Sequence, residues 1–347
     1  MEIVSLRVQH TRNHEDASFR FPARVSVITG RNGSGKTTLL EALHTALRGT
    51  SFRGSDNEVL GREKTWWRID VRGSEDESRT VKFDSQKTSG RKQFDIDSKT
   101  SYRMPVSSKY PVILFEPDDL RLLNGSPSRR RQFIDTFIGQ INPLYGSTLR
   151  KYDRALKQRN ALLKQPVASQ DDMFVWDMAL AEYGAEIIRE RTQVIERINT
   201  ALTDTYHSIA GTDDTVTLHY SHTLIDGIEQ KLANDLVTRF ERDRLLGFTS
   251  IGPHRHDVIS EFNNSPTTSV ASRGEIRSIV LALKFIEVDV ASEATGLSPI
   301  VLLDDVFAEL DESRQQRLAE KCRDNQMFIT STNAYTGIDS AAVISLD

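Results

Sequence analysis

The sequence predicts an α/β fold in which one lobe, built from residues 1–125 and 246–347, is interrupted by a mainly helical lobe over residues 126–245. Three observations carry this expectation. A glycine-rich octapeptide, Gly30-Arg31-Asn32-Gly33-Ser34-Gly35-Lys36-Thr37, stands between an apolar β-like run and a helical one. Four apolar residues, Ile300-Val301-Leu302-Leu303, end in the carboxylate pair Asp304-Asp305. Between them, from about residue 126, the periodicity turns from alternating to helical.

The elements follow in order. Ile3, Leu6 and Val8, then Phe19 and Phe21, then residues 25–28 read as short strands leading into the glycine-rich turn. Leu39, Leu43, Ala46 and Leu47 share one helical face, and Gly49 stops that helix. Residues 67–71, 80–83 and 112–115 predict further strands separated by turn residues. Residues 173–209 predict one long helix, because Phe174, Met178, Ala181, Ala185 and Ile188 begin a four-three spacing that continues to Tyr206 and Ile209. The pattern stops within about six heptads, so a buried bundle helix fits better than a coiled-coil arm. A β-like run at 215–220 and a helix through Leu246 follow, and α/β texture is expected to return at residues 248–252.

With 38% hydrophobic and 27% charged residues the 347-residue chain has a globular balance. The N-terminal stretch lacks the apolar core of a signal peptide, and no run approaches the ~20 apolar residues of a membrane span. The single cysteine, Cys322, excludes an intrachain disulfide or a cysteine metal cluster, and a cytoplasmic location without a membrane partner is expected. The net charge is −4, yet residues 121–165 carry ten Lys or Arg against Asp135 and Asp153, a local +8. Residues 79–109 are also basic. Such footprints on an acidic chain point to a polyanionic partner, with Arg129, Arg130, Arg131, Arg150, Lys151 and Arg154 as candidate DNA-binding residues; a solvated helix face is the plainer alternative.

The octapeptide fits GxxxxGK[ST] in the strand-loop-helix context that its chemistry needs. Backbone N–H groups of residues 30–37 would face phosphates, the positive helix end adds attraction, Lys36 would neutralise the β and γ phosphates, and Thr37 would offer its hydroxyl to Mg²⁺. A buried strand ending in Asp304-Asp305 would deliver two acids beside that loop: Asp304 for the hydrated metal ion, Asp305 as the catalytic group that orients or deprotonates water. Alone, such a pair is a solvated turn. Together with the loop it reads as an ATP site. Ser272-Arg273-Gly274-Glu275 opens another helix and predicts a second anion site, although Ser and Gly there equally fit a simple N-cap.

In this order the motifs, with Ala308-Glu309-Leu310-Asp311, resemble an ABC-type P-loop ATPase head (lobe I) carrying an inserted helical lobe (lobe II). The RecF family is the nearer likeness. It rests on Thr11-Arg12-Asn13-His14, Ser51-Phe52-Arg53, Leu114-Phe115-Glu116-Pro117-Asp118-Asp119-Leu120, Gly125-Ser126-Pro127-Ser128 followed by three arginines, Gly252-Pro253-His254-Arg255 and Ala271-Ser272-Arg273-Gly274. These landmarks span nearly the whole chain. The resemblance implies that Ser272, Arg273, Gly274 and Glu275 act in trans on the nucleotide of a second subunit, that Asp311 lies in the interface of an ATP-dependent homodimer, and that Arg12 and Asn13 lie near the nucleotide. It further implies ATP and Mg²⁺ as cofactors, and double-stranded and gapped DNA, RecR and RecO as partners. The activity implied is a weak DNA-dependent ATPase that assists RecA loading in recombinational repair.

Three departures stand out. Glu275 replaces a usual glutamine, His256 replaces a usual aspartate, and Thr330-Ser331-Thr332 follows the strand where transporter ATPases carry a switch histidine. The rival readings are an SMC-like head, a transporter or translation ABC subunit acting on protein or RNA, and an ATP-dependent nuclease.

Overall fold

The computed structural model describes residues 1–87, 90–167, 169–223, 225–332 and 341–346, without the side chains of Leu120 and Ala308. Contacts divide the chain into two units, Met1–Asp119 with Glu287–Asp347, and Leu120–Ile286.

The first unit begins with β1 (Ile3–Thr11), β2 (His14–Arg20), β3 (Val25–Thr29) and α1 (Lys36–Arg48). It continues through β4 (Trp66–Gly73), β5 (Ser78–Asp84), β6 (Gln93–Ile96), β7 (Lys99–Ser101) and β8 (Val112–Phe115). The chain leaves for α2 (Pro127–Ile141), α3 (Tyr145–Leu163), α4 (Gln170–Ala210), β9 (Val216–Tyr220), α5 (Ile228–Thr238) and α6 (Phe240–Leu246). After β10 (Val258–Phe262), β11 (Ser265–Pro266) and α7 (Thr267–Val270), α8 (Arg273–Thr295) carries it back to the first unit. There β12 (Ile300–Leu303), α9 (Glu312–Lys321), β13 (Met327–Ser331) and β14 (Ala342–Ser345) complete the described elements.

Among the described residues, the first unit holds an antiparallel sheet in the order β2-β1-β4-β5-β6-β7 and a parallel one in the order β14-β3-β13-β12-β8. Helix α1 packs against strands of both sheets, and its Leu39, Leu40, Leu43 and Leu47 join Ile3, Trp67, Ile28 and Phe328 in one core. Each fully buried leucine is worth about 1.5–3 kcal/mol. Gly49 ends α1 in a left-handed conformation, φ 85°, its N–H closing onto the Thr45 carbonyl at 2.9 Å. The apolar run of β12 is buried at all four positions, as befits a parallel strand covered on both faces.

The second unit corrects two expectations. Helix α4 runs 41 residues, with a Ser169/Asp172 capping box at its start and left-handed Gly211 at its end. Its first turns, however, expose Phe174 and Met178 and bury Met173 and Asp177. Met173 packs with Leu163 and Phe240, and Asp177 turns inward to Arg159, so a buried ion pair sets the face that the apolar spacing placed one residue later. The return to the first unit, expected at residue 246, falls instead at Ile286/Glu287 within α8. The reason is pairing: β10 aligns antiparallel with β9, keeping residues beyond 246 in the second unit.

Candidate functional site

The glycine-rich loop joins β3 to α1. Gly35 caps α1 with φ 98° and no side-chain cap, leaving the first helical N–H groups without a side-chain acceptor. The positive φ favours glycine at Gly35, and alanine there would also displace the His14 imidazole. Lys36, 5% exposed, donates to the carbonyls of Gly30 at 2.8 Å and Arg31 at 3.1 Å, which holds its ammonium across the loop. Asn13 donates to Gly33 O at 2.6 Å, and a His14 ring nitrogen lies 3.2 Å from Gly35 O. The β1–β2 turn thus braces the loop. Arg12 makes a bidentate pair with buried Glu41 of α1, at 2.6 and 2.9 Å, and Ser51 donates to the same carboxylate at 2.5 Å. Hydrogen bonding to Glu41 holds the Arg12 guanidinium above its usual pKa.

Strand β13 lies between β3 and β12, so the loop and the Asp304-Asp305 pair emerge at the same strand ends of one parallel sheet. Thr37 Oγ1 donates to Asp304 Oδ1 at 2.8 Å, and Thr330 Oγ1 donates to the same oxygen at 2.9 Å. Burial raises the Asp304 pKa and nearby Asp305 adds to it, against the two hydroxyl hydrogen bonds. Asp305 sits in the left-handed region, φ 52°, and its N–H is received by Thr330 Oγ1 at 2.8 Å. The structure therefore brings Gly30 through Thr37, Asn13, Asp304 and Asp305 together. Glu41 and Thr330 were missed in the sequence. An acid amid the apolar positions of α1 signalled the first, and the second was noticed only for not being histidine.

Ser272 and Glu275 form a reciprocal cap on α8: Glu275 N–H donates to Ser272 Oγ at 3.3 Å and Ser272 N–H to Glu275 Oε2 at 2.5 Å. Glutamate serves this box as well as glutamine, which accounts locally for that departure. Ser272 and Arg273 are exposed. Asp311 caps α9, receiving the Arg314 N–H at 3.0 Å, and that bond together with the Arg314 side chain keeps its carboxyl below the usual range. His256 is internal. Its Nδ1 lies 2.9 Å from Tyr220 Oη, it stacks on His222, and burial pushes its pKa down to about 3.

The basic window resolves into two kinds of residue. Arg130 pairs bidentately with Asp257 at 2.8 and 2.7 Å and donates to the Gly125 carbonyl; Arg131 donates to His256 O at 2.6 Å. Arg159 is fully buried against Asp177, at 2.6 Å, and Asp243, at 2.7 Å. For Arg130 and Arg159 the expectation that the window faces solvent or phosphate is corrected: their acids lie outside the window in sequence and beside it in space. Arg129 is half-buried, whereas Arg150, Lys151 and Arg154 are exposed along α3. In residues 79–109, Lys82 pairs with Asp95 and Lys92 with Asp56.

A glycine-rich phosphate loop opening a core helix, joined across a parallel sheet to a paired-carboxylate strand end, defines an ABC-type P-loop ATPase head. Residues 5–199 match the family model described as AAA domain. The chain belongs to the RecF family: it is 33% identical to the DNA replication and repair protein RecF of Protochlamydia amoebophila over 96% of this chain and 94% of that protein. The corresponding protein of Streptococcus gordonii is 34% identical, with the same shares covered. The solved structure of the recombination mediator protein RecF-ATPrS in the RecFOR pathway superposes with a TM-score of 0.89 at 27% identity, covering 99% of this chain and 95% of that one. An Smc head bound to the C-winged helix domain of ScpA shares the fold alone, with a TM-score of 0.54 at 14% identity, covering 99% of this chain and 94% of that one. Among the described residues no helix is long and apolar enough to cross a membrane.

Proposed function

We propose that this protein is an ATP-controlled DNA-binding ATPase of recombinational repair, acting in the RecFOR pathway on gapped and double-stranded DNA with RecR and RecO to assist RecA loading. The observation that carries the reading is the 2.8 Å hydrogen bond from Thr37 to Asp304, which joins the phosphate loop to the carboxylate strand. ATP enters with its phosphates against the N–H groups of residues 30–37 and displaces the Lys36 ammonium from the loop carbonyls toward the β and γ phosphates. Thr37 and Asp304 fit Mg²⁺ and would hold it, since a hydroxyl and a carboxylate oxygen in contact supply hard oxygen donors of the kind this ion takes. When bound, the ion neutralises charge developing on the phosphates. Asp305, next in the chain, orients and deprotonates the attacking water. Asn13 steadies the loop, and Arg12 is held at the first turns of α1 by Glu41.

The exposed Ser272 end of α8 serves the nucleotide of a second copy, with Gly274 permitting close approach and Asp311 in the interface. Nucleotide binding thereby couples to dimerisation and hydrolysis releases the dimer. Residues 1–119 with 287–347 act as the ATPase unit, and residues 120–286 as the unit inserted into it. The insertion presents Arg150, Lys151 and Arg154 to DNA. Turnover is slow and DNA-stimulated, and the protein works in the cytoplasm.

Sedimentation with and without ATP and a gapped duplex tests these parts together. Native protein is expected to dimerise on DNA only with ATP, and Lys36→Ala to remain monomeric. Unchanged assembly and nucleotide affinity in Lys36→Ala would overturn the site assignment.

A further inference from the structure

Thr330 belongs to the stretch notable for not carrying a histidine, and the function proposed above gives it no part. It is fully buried on β13, so it does not reach substrate. Its single hydroxyl is nonetheless used twice. It accepts the Asp305 N–H at 2.8 Å and donates to Asp304 Oδ1 at 2.9 Å, with the Leu303 carbonyl a longer acceptor at 3.4 Å. Asp305 has φ 52°, a conformation that L side chains other than Asn and Asp seldom hold and that persists where surrounding contacts fix it. We infer that Thr330 is a positioning residue for hydrolysis, its hydroxyl locking the Asp305 backbone in this turn and tying the Asp304 carboxylate to the strand beside the phosphate loop.

The inference rests on the reading of Asp305 as the group that acts on water. The turn places the Asp305 side chain, and the Thr330 acceptor is the partner of its N–H. Without that acceptor the N–H is left to find another, and the backbone is released from φ 52°. Misplacing a catalytic group by about 1 Å costs roughly 100-fold in rate. Asp304 loses only one of two hydroxyl donors, since Thr37 remains. Phosphate binding through residues 30–37 is untouched. The hydroxyl therefore acts on turnover and not on nucleotide affinity, which distinguishes a positioning role from general support of the fold.

The experiment compares Thr330→Val, which keeps shape and removes the hydroxyl, with Thr330→Ser, which keeps the hydroxyl. Thr330→Ala carries the same comparison should valine crowd the strand. Thr330→Val is expected to lower kcat roughly 10- to 100-fold while KM and the Kd for a fluorescent ATP analogue stay within about threefold, and Thr330→Ser to restore most of the rate. Independent of activity, amide hydrogen exchange at Asp305 should quicken in Thr330→Val and not in Thr330→Ser. Asp305→Asn is measured alongside. If Asp305→Asn turns over normally, the reading of Asp305 fails. If Asp305→Asn is slow while Thr330→Val is not, or if valine and serine lose rate equally, the positioning role is overturned.

Discussion

Removing Arg150, Lys151 and Arg154 together as glutamines tests whether α3 tracks DNA. All three are exposed, and Arg150 and Arg154 make no ion pair among the described residues; Lys151 lies over the Tyr183 ring at 5.2 Å. Their spacing places them within about one helical turn, so each can meet a phosphate. Each lost contact flattens log affinity against log salt by about 0.9, so three lower the slope by up to ~2.7. A fourfold rise in salt would then cost the native protein about 40-fold more affinity than the variant. Phosphate contacts read no bases, so the loss should be equal across DNA sequences. Arg130→Gln is the control. Arg130 is 15% and Asp257 26% exposed, and losing charge-assisted hydrogen bonds of this kind costs about 1.5–3 kcal/mol, or roughly 3–12 °C in Tm. That variant should melt earlier with an unchanged salt slope. Fluorescence anisotropy over a salt series and calorimetry on the same preparations decide it. An unaltered slope in the α3 triple variant would remove this helix from the DNA surface.

Two further outcomes follow. Ser272→Arg should prevent ATP-dependent dimerisation in sedimentation while the monomer still binds ATP; loss of monomer binding would mean that Ser272 supports its own fold. Arg159→Met leaves Asp177 and Asp243 buried without their cation, which costs about 3–5 kcal/mol and lowers Tm by roughly 6–20 °C at neutral pH. Burial already raises the Asp177 pKa, and losing Arg159 raises it further. At this site the folded variant then binds more protons than its unfolded chain, so the penalty of the substitution is smallest below about pH 4 and grows as pH rises through the folded-state value. Melting curves between acid and neutral pH that run parallel to the native ones would refute this account.

Much of the candidate nucleotide site was legible because its elements are local. Gly30 to Thr37 are contiguous, and their strand-loop-helix setting is written in the residues on either side. The strand of Ile300 to Leu303 was visible because a doubly covered parallel strand is continuously apolar. Glu41 was not legible, since its value depends on Arg12 and Ser51, which only the folded chain brings to one carboxylate. Thr330 was hidden for a similar reason. Its meaning lies in a sheet order that inserts β13 between β3 and β12, and strand order across a crossover leaves no mark in local periodicity. The boundary at residue 246 failed because β10 pairs with β9, a partner separated from it by two helices.

Charge was the least legible property, for a reason specific to arginine. A guanidinium suits a phosphate and a carboxylate by the same planar geometry, so a run of arginines announces an anion without saying whose. In residues 121–165 the anions for Arg130 and Arg159 are Asp257, Asp177 and Asp243, all supplied by later parts of the same chain. What separates these from Arg150 and Arg154 is position against the helical core: Arg159 shares the buried side of α3 with Tyr152 and Ala155, while Arg150 and Arg154 stand on its solvent side. Helical phase therefore carries the distinction that net charge does not. A window's formal +8 measures its capacity for a polyanion only after the arginines on the buried phase are set aside.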